Sequence, residues 1–338
     1  MPAQVPGIHH VTAIAKDVQR TVDFYVGSLG LRFIKKTVNF DVPDTYHIYF
    51  GDQVGTPGTA MTFFGWPHLP WGPAAAGQVT AVAFAVPAGS LDFWERRLGE
   101  LGVEASRERR FDTEVIAIKD PDGILIELVG EASDARWAPW PESPVGEADQ
   151  IRGFHSVGLC VREEAPSAGF LAEVMGFREV AREPGRVRYA TGEGGPHAIL
   201  ELMVRPDAAI GEETTGTVHH VAWRALDDPH QLDWRGTLVD AGREVTPVIE
   251  RKYFRSIYFR EPGGVLFEIA TDRPGFTVDE PVEALGSGLQ LPPQYEDKRE
   301  NLDFNLTPIV IPTFAGRGPS AENGWRPRRS AGTGTAMR

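Results

Sequence analysis

The chain has 338 residues, 41% of them hydrophobic, and a formal net charge of −13 at pH 7. That length suffices for two domains, each burying its own core. Basic residues scattered over an acidic chain exclude a nucleic-acid footprint.

Cys160 is the single cysteine, so neither a disulfide framework nor a thiolate metal cluster is expected. The opening MPAQVPGIHH lacks the basic and apolar regions of a secretory signal, and no window approaches a membrane span. We read the chain as cytoplasmic, with no membrane partner.

The first predicted strand, HHVTAIAKD from His9, alternates apolar positions as a half-buried strand does. A helix with an apolar stripe is expected from Val18 to Leu29, stopped at Gly30 by a left-handed cap. The same succession returns at a period of roughly 65 to 75 residues. Strands open at Val79, His155 and His219; helices are expected at Ser90–Leu101, Pro166–Met175 and Gln231–Ala241, each before Gly102, Gly176 or Gly242. Strand pairs around tight turns follow, clearest in EVIAIKDPDGILIELV from Glu114 and RSIYFREPGGVLFEIA from Arg255. The fold is therefore α+β, a βαβββ module written four times.

We divide the chain into an N-terminal domain at 1–135 holding modules one and two, and a linker at 136–150. A C-terminal domain at 151–273 holds modules three and four, an arm follows at 274–315, and a Gly-, Ser- and Arg-rich tail at 316–338 is expected to be disordered.

His-His-Val stands at His9-His10-Val11 and again at His219-His220-Val221. Aligning the four first strands makes His10, Thr80, Ser156 and His220 equivalent, so modules one and four alone carry a ligand there. The closing strands offer Glu127, Glu201 and Glu268, whereas TAMTFF of module one has no carboxylate. Two imidazoles and one carboxylate, His10, His220 and Glu268, form the ligand set of a non-haem Fe(II) oxygenase site. Fe(II) is the expected metal and Mn(II) the second candidate, because both accept mixed imidazole and carboxylate ligation.

Strand alternation turns His9 and His219 away from the metal, so they are read as packing residues or as neighbours of the ligands. His47, His68, His155, His197 and His230 lack a symmetric partner and are assigned no role. Glu127 and Glu201 are read as ion-pair partners or relics of duplication.

These residues resemble the vicinal-oxygen-chelate (glyoxalase/extradiol dioxygenase) superfamily, whose paired βαβββ modules form open mixed-sheet barrels around a metal. The run from Ile257 through Tyr258, Glu261-Pro262 and Gly264 to Glu268 is similar to the extradiol ring-cleaving signature. Where catechol-cleaving members carry a catalytic His this chain has Arg251, and where they take their first metal His it has Ser156. Both features, with GIHHVT, TVDFY, KKTVNFD, YHIYFGD and GTPGTAM, are instead similar to the hydroquinone-cleaving group and its glyoxalase-labelled relatives.

The resemblance implies a ring-cleaving dioxygenase whose partners are a small aromatic substrate and O2, and it leaves a homo-oligomer open. Tyr258 is then expected to hydrogen-bond the ligated substrate oxygen and Arg251 to stabilise anionic intermediates. His219 or His9 would shuttle protons. Two rivals remain: a glyoxalase-type isomerase, which needs a carboxylate base opposite the ligand Glu, and a resistance-type binding protein, which needs no metal ligands.

Overall fold

A computed structural model describes residues 4–131 and 136–314. The tail expected at 316–338 and the boundary at 135 lie outside the described residues. The first module runs β1 (Ile8–Ala15), α1 (Val18–Val22), β2 (Arg32–Val38), β3 (Tyr46–Gly51) and β4 (Ala60–Gly65). The second runs β5 (Gln78–Ala85), α2 (Leu91–Glu100), β6 (Ala105–Arg110), β7 (Thr113–Lys119) and β8 (Leu125–Val129). The third has β9 (Phe154–Val161), α3 (Glu164–Gly169), β10 (Arg178–Glu183), β11 (Arg186–Ala190) and β12 (Ile199–Val204). The fourth has β13 (Val218–Ala225), α4 (Asp228–Asp240), β14 (Ile249–Glu250), β15 (Arg255–Arg260) and β16 (Leu266–Thr271).

Local chemistry sets the helix ends. Asp17 and Asp227 cap α1 and α4 by accepting from the backbone N–H groups of Arg20 and His230. Gly30, Gly102, Gly176 and Gly242 all adopt φ between +72° and +73°, the left-handed stop that a side chain would strain. In modules one and three the helix widens into a π turn, at Asp23–Ser28 and Phe170–Val174. The wider turn buries Phe24, Tyr25 and Val26 together, which a period of 3.6 residues does not anticipate.

Among the described residues the strands form two mixed sheets. One has the order β14-β15-β16-β13-β1-β4-β3-β2-β17, where β17 is Leu289–Gln290; the other is β10-β11-β12-β9-β5-β8-β7-β6. Within each module the first strand pairs in parallel with the last, and the remaining pairs are antiparallel. Between modules, first strands pair antiparallel: β1 with β13, and β5 with β9.

Each sheet thus joins one module from either half of the chain, one with four and two with three. Strand pairing therefore runs across the division between 1–135 and 151–273. All four first strands share one apolar alternation, so periodicity reveals the repeat but not which edges meet. A continuous core then runs through both sheets, from Tyr25 and Phe50 past Phe84 and Phe154 to Trp223 and Phe267. The C-terminal arm is bound as well: buried Lys35 of β2 pairs with Asp279 and Glu280, and α5 (Arg299–Asn305) seats Leu302 against Val38 and Leu291.

Each antiparallel junction contains two bulges. In β1 and β13 the extra residues are His9 and His219, and in β5 and β9 they are Thr80 and His155. The residues after them, His10, Ala81, Ser156 and His220, are therefore the equivalent set. Ala81 replaces the expected Thr80, because Thr80 is itself the bulge residue, the equivalent of His9, His155 and His219. The closing-strand ladders agree. Thr12 faces Thr62, Ala83 faces Glu127, Gly158 faces Glu201 and Ala222 faces Glu268.

The second sheet keeps its carboxylates but neutralises them with arginine. Arg110 reaches Glu127 at 2.6 Å, and Arg186 and Arg188 each reach Glu201 at 2.7 Å. Glu201→Leu would leave two largely buried guanidinium groups without a counter-charge, at an expected cost of about 3 kcal/mol in urea unfolding. An unchanged midpoint would show that this cluster carries no stability.

Candidate metal centre

His10 on β1, His220 on β13 and Glu268 on β16 converge on one point. The two Nε2 atoms are 3.3 Å apart, and Glu268 Oε2 lies 3.3 Å from His10 Nε2 and 2.9 Å from His220 Nε2. Each residue is at most 4% exposed, so bulk water does not screen these contacts. Among the described residues this is the one cluster of His, Cys, Asp and Glu side chains close enough to share an ion. Ser256 on β15 donates to Glu268 Oε1 at 2.5 Å, which leaves Oε2 as the atom turned to the imidazoles.

The bulge residues fix the tautomers. His9 Nδ1 lies 2.9 Å from His10 Nδ1, and His219 Nδ1 lies 2.8 Å from His220 Nδ1. On the far side His9 Nε2 meets the Thr271 carbonyl at 3.2 Å, and His219 Nε2 meets Glu213 Oε2 at 3.4 Å. In the tautomer where each outer imidazole gives its Nε2–H to the far acceptor, its Nδ1 takes a hydrogen bond from the Nδ1–H of His10 or His220, and the Nε2 lone pairs of those two residues face the carboxylate.

Three acceptors crowded together with no proton between them repel one another, and Glu268 Oε2 has no hydrogen-bond donor. A cation resolves this, and orienting metal-ligand imidazoles through their second nitrogen is how protein sites are built. The residues fit a metal.

Electrostatics keep the set ready. Burial lowers the pKa of His220 and takes His9 well below the ordinary imidazole value, and it pushes His219 down to about 3. All three stay neutral at physiological pH.

His10 and His220 line a cavity of about 320 Å³. Its walls are aromatic: Phe64 stacks on Trp66 at 5.0 Å, Phe254 lies 4.9 Å from the His10 ring, and Tyr258 lies 5.7 Å from the His220 ring. Arg251 enters through its Nε, 3.3 Å from the Tyr258 hydroxyl, while its Nη1 holds Asp41 at 3.1 Å across the mouth. Burial drives the Tyr258 phenol up, so it remains a protonated donor.

The structure therefore brings together all seven site residues read from the sequence: His10, His220, Glu268, Tyr258, Arg251, His9 and His219. Sequence reasoning missed Ser256, Tyr49 and His47, the last having been assigned no role. His47 lines the cavity, with Nδ1 2.8 Å from the Tyr49 hydroxyl and Nε2 2.9 Å from Thr62 Oγ1. Cross-strand register was the signal: Tyr49 faces Thr62 as Tyr258 faces Glu268. His155, His197 and His230 do not line the cavity.

Fold and site together define a paired-βαβββ protein with a three-ligand, open metal centre. Residues 7–128 and 153–269 match the Glyoxalase/Bleomycin resistance protein/Dioxygenase superfamily, and the chain belongs to it. Within that superfamily it stands with the ring-cleaving dioxygenases. It is 42% identical over 311 residues to a Bacillus subtilis protein named "Putative ring-cleaving dioxygenase MhqO", covering 92% of this chain and 99% of the relative. It is 35% identical over 324 residues to the chlorohydroquinone/hydroquinone 1,2-dioxygenase of Sphingobium indicum, covering 92% and 99%. A crystal structure described as a putative dioxygenase from Bacillus subtilis superposes with a TM-score of 0.87 at 41% identity, covering 93% of this chain and 100% of that one.

In chelator-treated protein, His9, His47, His219 and His220 resist protonation that the unfolded chain accepts below about pH 6.5. Unfolding then takes up protons, so stability falls as pH drops, by up to about 1.4 kcal/mol per pH unit for each such histidine. Asp120, pushed up to about 7 by burial, opposes this with a single proton. The urea midpoint should decline from pH 7 to pH 5; a flat or rising midpoint would contradict a buried neutral cluster.

Proposed function

We propose that this protein is a non-haem Fe(II)-dependent, extradiol-type ring-cleaving dioxygenase acting on a hydroquinone-like aromatic diol with O2. The observation that carries the reading is the asymmetry of the metal corner. Three candidate protein ligands are present, and the closing-strand position of module one that corresponds to Glu268 holds Thr62, not a fourth carboxylate. When bound there, Fe(II) supplies adjacent open positions and a redox centre for an organic oxygen and dioxygen. Mn(II) suits the same donors and is the second candidate.

The chain's own residues supply the rest. The aromatic walls bind a flat ring and exclude water, which strengthens every polar contact inside. Tyr258 is held protonated beside the ligands, where it can donate to a developing anion on the ring oxygen. Arg251 adds a fixed positive charge beside it and cannot act as a base. His9 and His219 hold the ligand tautomers, and each offers a Nδ1 to Nδ1 path along which a proton can move.

The names of the relatives support the same substrate class. An isomerase of the glyoxalase kind would need a carboxylate base where Thr62 stands, and a binding protein would need no such ligand set. A cytoplasmic location belongs to this reading. Among the described residues no helix is long and apolar enough to cross a membrane.

The test is oxygen uptake by anaerobically Fe(II)-loaded protein given hydroquinone, methylhydroquinone, catechol or a hemithioacetal. Uptake with the hydroquinones is expected. His220→Ala should lose metal and uptake together, whereas Tyr258→Phe should keep its metal and slow roughly 100-fold. Turnover of the hemithioacetal without oxygen consumption would refute the proposal.

A further inference from the structure

The pseudo-symmetry of the first sheet puts a second tyrosine opposite Tyr258. Tyr258 on β15 lies across from Glu268, and Tyr49 on β3 lies across from Thr62, the positional counterpart of Glu268. Tyr49 is 3% exposed and lines the same cavity as His10, His220 and Tyr258. The corresponding residues of the second sheet are Ala117 and Arg188, so paired phenols distinguish the metal-bearing sheet.

The two phenols are wired in opposite senses. The Tyr258 oxygen accepts the Arg251 Nε–H, and burial keeps its phenol protonated, a donor beside the metal ligands. Around Tyr49 the donors run the other way. Thr62 donates to Thr12 Oγ1 at 2.8 Å, so the Thr62 oxygen accepts the Nε2–H of His47 at 2.9 Å. His47 then carries its proton on Nε2, and its Nδ1 accepts the hydroxyl hydrogen of Tyr49 at 2.8 Å. The Tyr49 oxygen keeps its lone pairs for a donor arriving in the cavity. Burial supports this wiring, since it keeps His47 neutral and Tyr49 protonated.

We propose that Tyr49 is a substrate-binding residue whose oxygen accepts a hydrogen bond from the diol hydroxyl not bound to metal, and that His47 is the positioning residue that aims it. The substrate class rests on the ring-cleavage reading above. One end of the chamber is then a donor matched to an ionised oxygen, and the other is an acceptor matched to a protonated one. The site selects a singly ionised diol with oxygens on opposite sides of its ring, and it disfavours a monophenol of the same shape.

The experiment measures binding in anaerobic, metal-loaded protein by calorimetry, with hydroquinone and phenol as the two probes. The wild type should prefer hydroquinone. Tyr49→Phe should lose about tenfold in hydroquinone affinity, the loss of one hydrogen bond, with phenol affinity and metal content unchanged. His47→Leu should shift the preference in the same direction, and His47→Gln, which offers one acceptor and one donor, should restore much of it. The proposal is overturned if the wild type shows no preference, if Tyr49→Phe leaves the preference intact, or if it weakens both probes equally. Because no turnover is read, a protein that binds the diol without consuming oxygen would contradict the dioxygenase reading while the preference still decides the role of Tyr49.

Discussion

Two imidazoles and a carboxylate, held within 3.3 Å of one another in the interior, form an arrangement that a shared cation makes favourable. Much of the molecule maintains that arrangement. The bulges at His9 and His219 place a second imidazole behind each ligand and fix its tautomer, and Ser256 turns the free oxygen of Glu268 inward. Pairing of β1 with β13 brings together two residues that lie 210 positions apart in the chain.

The two sheets show one scaffold solving one electrostatic problem twice. Where the first sheet leaves carboxylate and imidazoles facing each other, the second places arginines on Glu127 and Glu201 and has Ala81 and Ser156 at the imidazole positions. The carboxylate position is kept in three of the four modules, and the countercharge is protein in one sheet and metal in the other. Module one is the exception, with Thr62 at the carboxylate position.

The modules and the convergence of His10, His220 and Glu268 were legible because a twofold strand period and repeated glycine stops survive in the sequence. The caps at Asp17 and Asp227 and the left-handed glycines are local chemistry of the same kind. Sheet pairing was not legible, since all four first strands present the same alternation. The π turns and the bulges at His9, Thr80, His155 and His219 come from single inserted residues, which simple periodicity averages away. His47 and Tyr49 went unseen because their importance lies in register across a ladder to Thr62.

X-ray absorption on protein loaded anaerobically with Fe(II) and freed of excess metal tests the central claim most directly. One ion per chain is expected, with two imidazole nitrogens, carboxylate oxygen and further light-atom positions filled by solvent. A protein that retains no stoichiometric metal, or a shell containing a third imidazole or sulfur, would contradict the account.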